Sequence, residues 1–428
     1  MAQTITDGQR EASSQSARWF WRYWSGSTVS ALGTAVTSIA LPLTAVLILH
    51  ANSLEVGMVT GATYLGWTLV GLPAGVIVGK VPLRGTQIAM DLIRAAALAS
   101  VPLAAVLHML SVAQLIAVAL VVSIASVVFD VGNSTFLPTV VSKEELTARN
   151  SLMSASQAVT ALAGPSLGGV LVQALGATAA VLFDSVSYVL SAIMLRNLPR
   201  PERRPVARGP ALSMRAQIRD GWHYVIADPV SRTCVTEVAA MNFFAGATMA
   251  LVPVFLVRTL GASPALVGVL IAAEGVGSLL GAALAVRTEG RFGSARATLG
   301  AATLMPTGAA LMPLATSGWG TIVFAVGNLT VPAAVVVSTI MTRTYRQRTT
   351  PVELLPQVLA TVRFLSWSVI PVGSLLAGTV ALWAGPRAAL WLAVACSLLV
   401  PLSVWASPVR RLRDLTDEVP QALRTGIQ

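Results

Sequence analysis

Long apolar runs take up most of this chain, and no other feature limits its fold so strongly. They fall at about 19–49, 55–79, 87–107, 112–135, 150–174 and 178–195, then at 231–257, 265–286, 297–314, 319–342, 357–382 and 387–406. A helix needs about 20 mostly apolar residues to cross the hydrocarbon core of a bilayer. An unpaired backbone amide in lipid costs several kcal/mol, so runs of this length are expected to be helices; a barrel would alternate polar and apolar residues, and that alternation is missing. Of 428 residues, 55% are hydrophobic and 11% charged, against roughly 25% charged in soluble domains. The expected fold is an all-α membrane protein of about 12 transmembrane helices in two pseudo-symmetric six-helix bundles, with no room for a large soluble domain.

The formal net charge of +11 would raise nucleic-acid binding in a soluble protein, so the placement of the 29 basic residues decides. They gather in alternate connections: Lys80 and Arg84; Lys143 and Arg149; the central segment; Arg287, Arg291 and Arg296; Arg343, Arg346 and Arg348; and Arg410, Arg411 and Arg413 after the last run. The connections between hold only Arg258 and Arg387. Such asymmetry is the topology signal of a membrane protein, not a nucleic-acid surface; it puts both termini in the cytoplasm and makes the span count even. The expected organisation is a cytoplasmic tail over 1–18, a bundle over 19–195, a cytoplasmic linker over 196–230, a bundle over 231–406 and a cytoplasmic tail over 407–428. Met1 to Arg18 is polar, without an apolar core and small-residue cleavage site, and reads as a loose tail, not a cleaved signal. The linker is rich in Arg and Pro up to Pro210. It then reads as an amphipathic helix with Leu212, Ile218, Trp222 and Val225 on one side, suited to the inner membrane face; a solvated linker is the alternative.

A weak internal repeat relates the halves. Val56-Gly57-Met58 with Gly66 recurs as Val267-Gly268-Val269 with Gly277, and Gly169 and Gly176 share their spacing with Gly378 and Gly385. Two parallel six-span repeats around a central substrate site are one known transporter plan. Cys234 and Cys396 lie in apolar runs of different halves, which favours neither a disulfide nor a metal site. The three histidines are scattered and no Gly-rich phosphate loop with a following Lys exists, so neither an enzyme nor a cofactor is expected.

The most specific wording lies between Leu137 and Leu195. It reads Leu137-Pro138-Thr139-Val140-Val141, Ala148-Arg149-Asn150-Ser151-Leu152, Gly164-Pro165-Ser166-Leu167-Gly168-Gly169 and Phe183-Asp184-Ser185-Val186-Ser187-Tyr188. This resembles the branch of the major facilitator superfamily that contains enterobactin exporters and macrolide efflux proteins. The resemblance implies a monomeric multi-pass protein of the bacterial cytoplasmic membrane that exports small amphipathic molecules by alternating access. In that superfamily Gly-Pro-x-x-Gly-Gly in the fifth span is the antiporter motif, here Gly164, Pro165, Gly168 and Gly169. Small residues let a second helix approach closely, and proline removes a backbone donor so that the helix can bend. The loop after the second span resembles another family signature, Gly-x-x-x-Asp-Arg followed by basic residues. It runs from Gly75 through Lys80 to Arg84, with Gly79 where the acid is expected. Asp130 in the fourth span matches the acid that the family sets opposite this loop, so Lys80 or Arg84 keeps a possible mate. The branch also carries Asp after Ser-Ala-Leu-Gly in the first span, whereas this chain has Thr34 after Ser30-Ala31-Leu32-Gly33. Proton chemistry assigned to that acid does not carry over.

Ionisable groups inside lipid cost several kcal/mol and call for a partner, a cavity or a neutral form. Asp91 and Arg94 are three residues apart on one helix face and are expected to pair with each other or with the motif loop. Asp184, Glu237 and Glu274 lie deeper. Glu274, about 14 Å into its span at helical rise, is the first candidate for a proton or a cationic substrate. A hydrogen-bonded structural role competes for each acid. Arg363 is either a counter-ion, an anion contact or a snorkelling residue. Trp67, Phe243, Phe244 and Trp367 are candidates to line a cavity, while Trp19, Phe20, Trp21, Tyr23 and Trp24 are expected as interfacial anchors. These features point to a secondary active exporter, with proton antiport as its coupling. The alternatives are an importer or facilitator of a metabolite, and a lipid-handling or scaffolding protein.

Overall fold

A computed structural model describes residues 2–140, 146–197, 214–351 and 354–417. Lys143, the linker over 198–213 and the tail beyond Asp417 lie outside these, as do the side chains of Lys80 and Ile218. Regular structure among the described residues is helical: Ala2–Leu47 (α1), Ser53–Lys80 (α2), Leu83–Val106 (α3), Val112–Val140 (α4), Leu146–Leu175 (α5), Ala177–Arg196 (α6), Met214–Ala227 (α7) and Pro229–Val254 (α8). Pro264–Phe292 (α9), Ser294–Leu314 (α10), Thr321–Thr349 (α11), Leu355–Trp367 (α12), Val369–Ala384 (α13), Pro386–Ser397 (α14) and Leu399–Trp405 (α15) follow. Eleven segments among the described residues are long and apolar enough to cross a membrane. α2 covers the run expected as the second span, with Glu55 and Lys80 near its ends and no charge between. α1 begins at Ala2, so the stretch expected as a loose tail is helical backbone continuous with the first span. It contains no proline, and Ala, Gln, Glu and Arg, all good helix formers, fill much of it.

Large apolar side chains stand exposed along the spans, among them Leu103, Val170, Ile193, Leu279, Leu376 and Leu399. That pattern suits a surface whose solvent is hydrocarbon, and it would be an aggregation liability in water.

The chain forms two compact units, Met1–Leu49 with Leu65–Ala207 and His50–Tyr64 with Arg208–Gln428. In the first, α6 packs on both α1 and α3, α1 also meets α5, and α3 meets α4. In the second, α11 lies between α9 and α10, while α8 packs on α13 and α14. The initial turns of α2 belong to this second unit: a Cβ on Gly57 would stand 2.7 Å from the Ser374 carbonyl of α13 and 3.4 Å from Gly378.

The repeated glycines have matching jobs. Gly176 joins α5 to α6 with φ 88°, and Gly385 joins α13 to α14 with φ 83°, a region that side chains disfavour. Gly66 lies on the backbone of Ser123 and Ile124 in α4, and Gly277 on that of Leu329 in α11, so each permits a close crossing of helices two spans apart.

Candidate functional site

The buried stripe of α3 carries Gln87, Asp91, Arg94, Ala95 and Leu98. Asp91 and Arg94 form the expected i,i+3 ion pair, sealed at 0% and 4% exposure. The guanidinium lies between two rings, 4.2 Å from the centre of Phe129 in α4 and 4.1 Å from that of Tyr188 in α6. Planar, weakly hydrated guanidinium suits such stacking, and desolvation strengthens it. Asp184 of α6 is fully buried beside them and accepts a 3.0 Å hydrogen bond from the Ser187 hydroxyl. α6 is tied to α3 by Ser185, whose hydroxyl donates to the Ala95 carbonyl at 2.7 Å.

α1 closes this cluster. Gly33 lies against the Asp184 carboxylate and Ser187, leaving no space for a Cβ. Thr34, where related exporters carry an acid, shares a 2.9 Å hydrogen bond with the Tyr188 hydroxyl. The acid of this region therefore comes from α6, not α1. Asp91 Oδ2, Asp184 Oδ2 and both amide atoms of Gln87 are buried without hydrogen-bond partners.

The antiporter-motif glycines serve the same unit. Gly164 faces Ala35 of α1, and a Cβ on Gly168 would stand 3.1 Å from the Val36 carbonyl and 3.4 Å from the Ile39 Cβ. Gly169 is buried, and α5 runs on through Pro165 to Leu175. Arg84 turns to backbone carbonyls. Its Nε donates to the Leu195 carbonyl at 3.1 Å and its Nη2 to the Arg196 carbonyl, so it serves the end of α6, where unpaired carbonyls and the helix dipole attract a cation. Asp130 is exposed on α4, and Gly75 and Lys80 belong to the last turns of α2. The aromatic belt of α1 is also divided: Phe20 and Tyr23 are buried with Phe129 and Leu195, whereas Trp21 is exposed. Successive side chains turn about 100° around a helix, so a run of aromatics cannot all face one medium.

In the second unit Glu237 of α8 is fully buried and accepts a 2.6 Å hydrogen bond from the Ser338 hydroxyl of α11, while its Oε2 has no partner. Two turns beyond Ser338, Arg346 is buried with unpartnered Nε and Nη1, within electrostatic reach of Glu237. Its place at the end of an apolar run reads as a loop charge in the sequence, but the residue turns inward. Asp228 caps α8 through the amides of Val230 and Ser231 and accepts the Tyr345 hydroxyl. The Asp-Pro start of α8 is a helix-start signal that would have found this cap. α7 docks here too, with Val225 buried against Val235, Val358 and Val362 and Trp222 exposed.

Glu274 differs from the two sealed acids. It sits in the first half of α9 with its side chain open to the surface yet closely surrounded by protein, in electrostatic reach of Tyr64. The Tyr64 ring stands 6.4 Å from Trp367, over which the guanidinium of Arg363 stacks at 4.9 Å. Phe243 is half-buried, but Phe244 is 2% exposed inside the unit and does not line a cavity. Adjacent helix positions point apart, so only one of the pair can face outward. Trp67 is half-buried on α2. Among the described residues no three His, Cys, Asp or Glu side chains gather to hold a metal.

Two units of lipid-crossing helices with repeated glycine crossings and charges held inside the spans define a membrane transporter of the major facilitator type. The model of the transmembrane secretion effector family matches residues 13–423, and the chain belongs to that family. It is 26% identical to the multidrug efflux pump Tap of Mycolicibacterium fortuitum over 399 residues, 90% of this chain and 93% of that protein. In fold it is similar to the nucleoside transporter NupG, with a TM-score of 0.74 and 10% identity over 91% of this chain and 98% of that one. A bacterial homologue of the iron transporter ferroportin in its inward-facing state gives a TM-score of 0.71 at 17% identity, covering 91% and 98% of the two chains.

Proposed function

We propose that the protein exports small amphipathic molecules, a drug, siderophore or other natural product, across the bacterial cytoplasmic membrane in exchange for protons, with both termini in the cytoplasm. The exposed carboxylate of Glu274 carries this reading. A charge at mid-span costs several kcal/mol against hydrocarbon, so an acid held open at that depth faces a water path. Arg363, Trp367 and Tyr64 supply a cation and two ring faces in the same unit, a combination that suits amphipathic solutes. Similarity to an efflux pump along nine-tenths of the chain favours export. Alternating access by rocking of the two repeats supplies the movement.

The test is accumulation of a fluorescent cationic dye in cells producing the protein. Production should lower accumulation, a protonophore should restore it, and Glu274→Gln should remove the dependence on the proton gradient. Efflux that is unchanged by both treatments would show that the coupling does not pass through this acid.

A further inference from the structure

The charges sealed in the first unit do not balance. Two carboxylates, Asp91 and Asp184, face one guanidinium, and all three side chains are at least nine-tenths buried. The groups acting on Asp184 are the Thr37 hydroxyl of α1, Ser187 and Tyr188 from its own helix, and Arg94 and Asp91 from α3. α1 brings glycine and hydroxyls at this level, and the one charged residue of α5, Arg149, is stacked on Phe20. Asp130 of α4 acts on Arg94 from an exposed position.

Arg94 is fixed by Asp91 and by two aromatic rings, so it neutralises one acid and not both. The second carboxylate has the Ser187 hydroxyl on Oδ1 and the Thr37 hydroxyl of α1 beside it, with no close hydrogen bond on Oδ2. A buried charge with so few partners is costly, and a bound cation relieves it. A metal ion there would meet the guanidinium, which leaves the proton as the fitting occupant. We propose that Asp91, Arg94 and Asp184 form a binding site for one exchangeable proton, reached from the Leu83 end of α3 past Gln87. Gln87 lies one turn from Asp91 on the same face, and its unpartnered amide with the free oxygens of the two acids makes a row of polar atoms leading inward. Loading transfers a proton from hydronium to Asp184 Oδ2, forming an O–H bond and releasing water; unloading reverses the step. The role of this site in transport rests on the antiport reading, whereas proton binding stands independently of it.

Infrared difference spectra of the purified full-length protein between low and high pH, with no substrate or gradient, test the site through the C=O stretch of a protonated carboxyl. Glu274 adds its own C=O component, so the reporting band is the one unaltered in Glu274→Gln and Glu237→Gln; it should be lost in Asp184→Asn, which keeps the shape of the side chain. Asp91→Asn leaves one acid for one guanidinium, so Asp184 should stay ionised and the band should vanish although Asp184 is intact. A merely structural role would not produce that second loss. Persistence of the band in Asp184→Asn, or an unaltered band in Asp91→Asn, would overturn the proposal. The band present as described, with dye efflux indifferent to the gradient, upholds the site and removes the antiport reading instead.

Discussion

Replacing Arg94 by alanine strands two acids at once. Asp91, fully buried, loses its ion-pair partner, and Asp184 loses the cation nearest to it. Breaking a buried pair from one side costs about 3–5 kcal/mol, because the remaining charge is left uncompensated. The stacked contacts with Phe129 and Tyr188 add about 0.5–2 kcal/mol each, with incomplete additivity. Arg94→Ala should therefore lose most of its folded fraction under SDS titration conditions that leave the parent protein intact. A double substitution, Asp91→Leu with Arg94→Met, removes both charges, keeps much of the volume, and should recover most of the loss, since an apolar pair of similar size is often neutral or stabilising. The remaining Asp184 then takes up a proton. Unfolding curves for the parent, Asp91→Leu, Arg94→Met and the double variant form the cycle, with Arg94→Ala measured beside them. Equal stability of Arg94→Ala and the double variant would refute the account of a sealed, charge-matched pair, as would a loss no larger than the ±0.5 kcal/mol typical of surface substitutions.

Three further outcomes follow from the packing and the caps. Gly164→Ala places a methyl group on Ala35 and should cost about 1–3 kcal/mol of stability, with Ala35→Gly in the same chain restoring it in thermal-aggregation assays. Asp228→Ala removes the cap of α8 and the acceptor of the Tyr345 hydroxyl. Loss of the cap alone should cost about 0.5–2 kcal/mol, and hydrogen exchange should rise first at Val230 and Ser231. Trp367→Ala removes the ring beneath Arg363, so dye binding to the purified protein should weaken by about 0.5–2 kcal/mol while the thermal midpoint stays close to the parent value.

The helical spans were legible in the sequence because lipid imposes them: a spanning helix must be an apolar run of a given length. The Asp91 and Arg94 pair was legible because its geometry is local, set by one helix turn. So were the repeated glycines, whose spacing survives because close crossings and left-handed turns tolerate few other residues. Facing was not legible. Lipid and helix neighbours are both apolar, so a span shows little contrast between its sides, and Phe243 and Phe244 read alike although only Phe244 is enclosed. Charges at run ends are ambiguous for a related reason. Arg346 turns into the protein and Arg84 finds backbone carbonyls, partners that carry no signature in a sequence. Glu274 stands out in the sequence by its depth, whereas its exposure, which sets it apart from Asp184 and Glu237, depends on how α9 is rotated.

Proteoliposomes holding the purified protein and a trapped pH indicator give the most direct check, because solute and proton movements are followed together. Adding a transported dye outside vesicles under no imposed gradient should drive dye inward and protons outward, so the interior becomes alkaline, and the response should vanish with Glu274→Gln. Dye entry with no change in internal pH would contradict exchange for protons, and lipid movement without dye flux would contradict solute transport altogether.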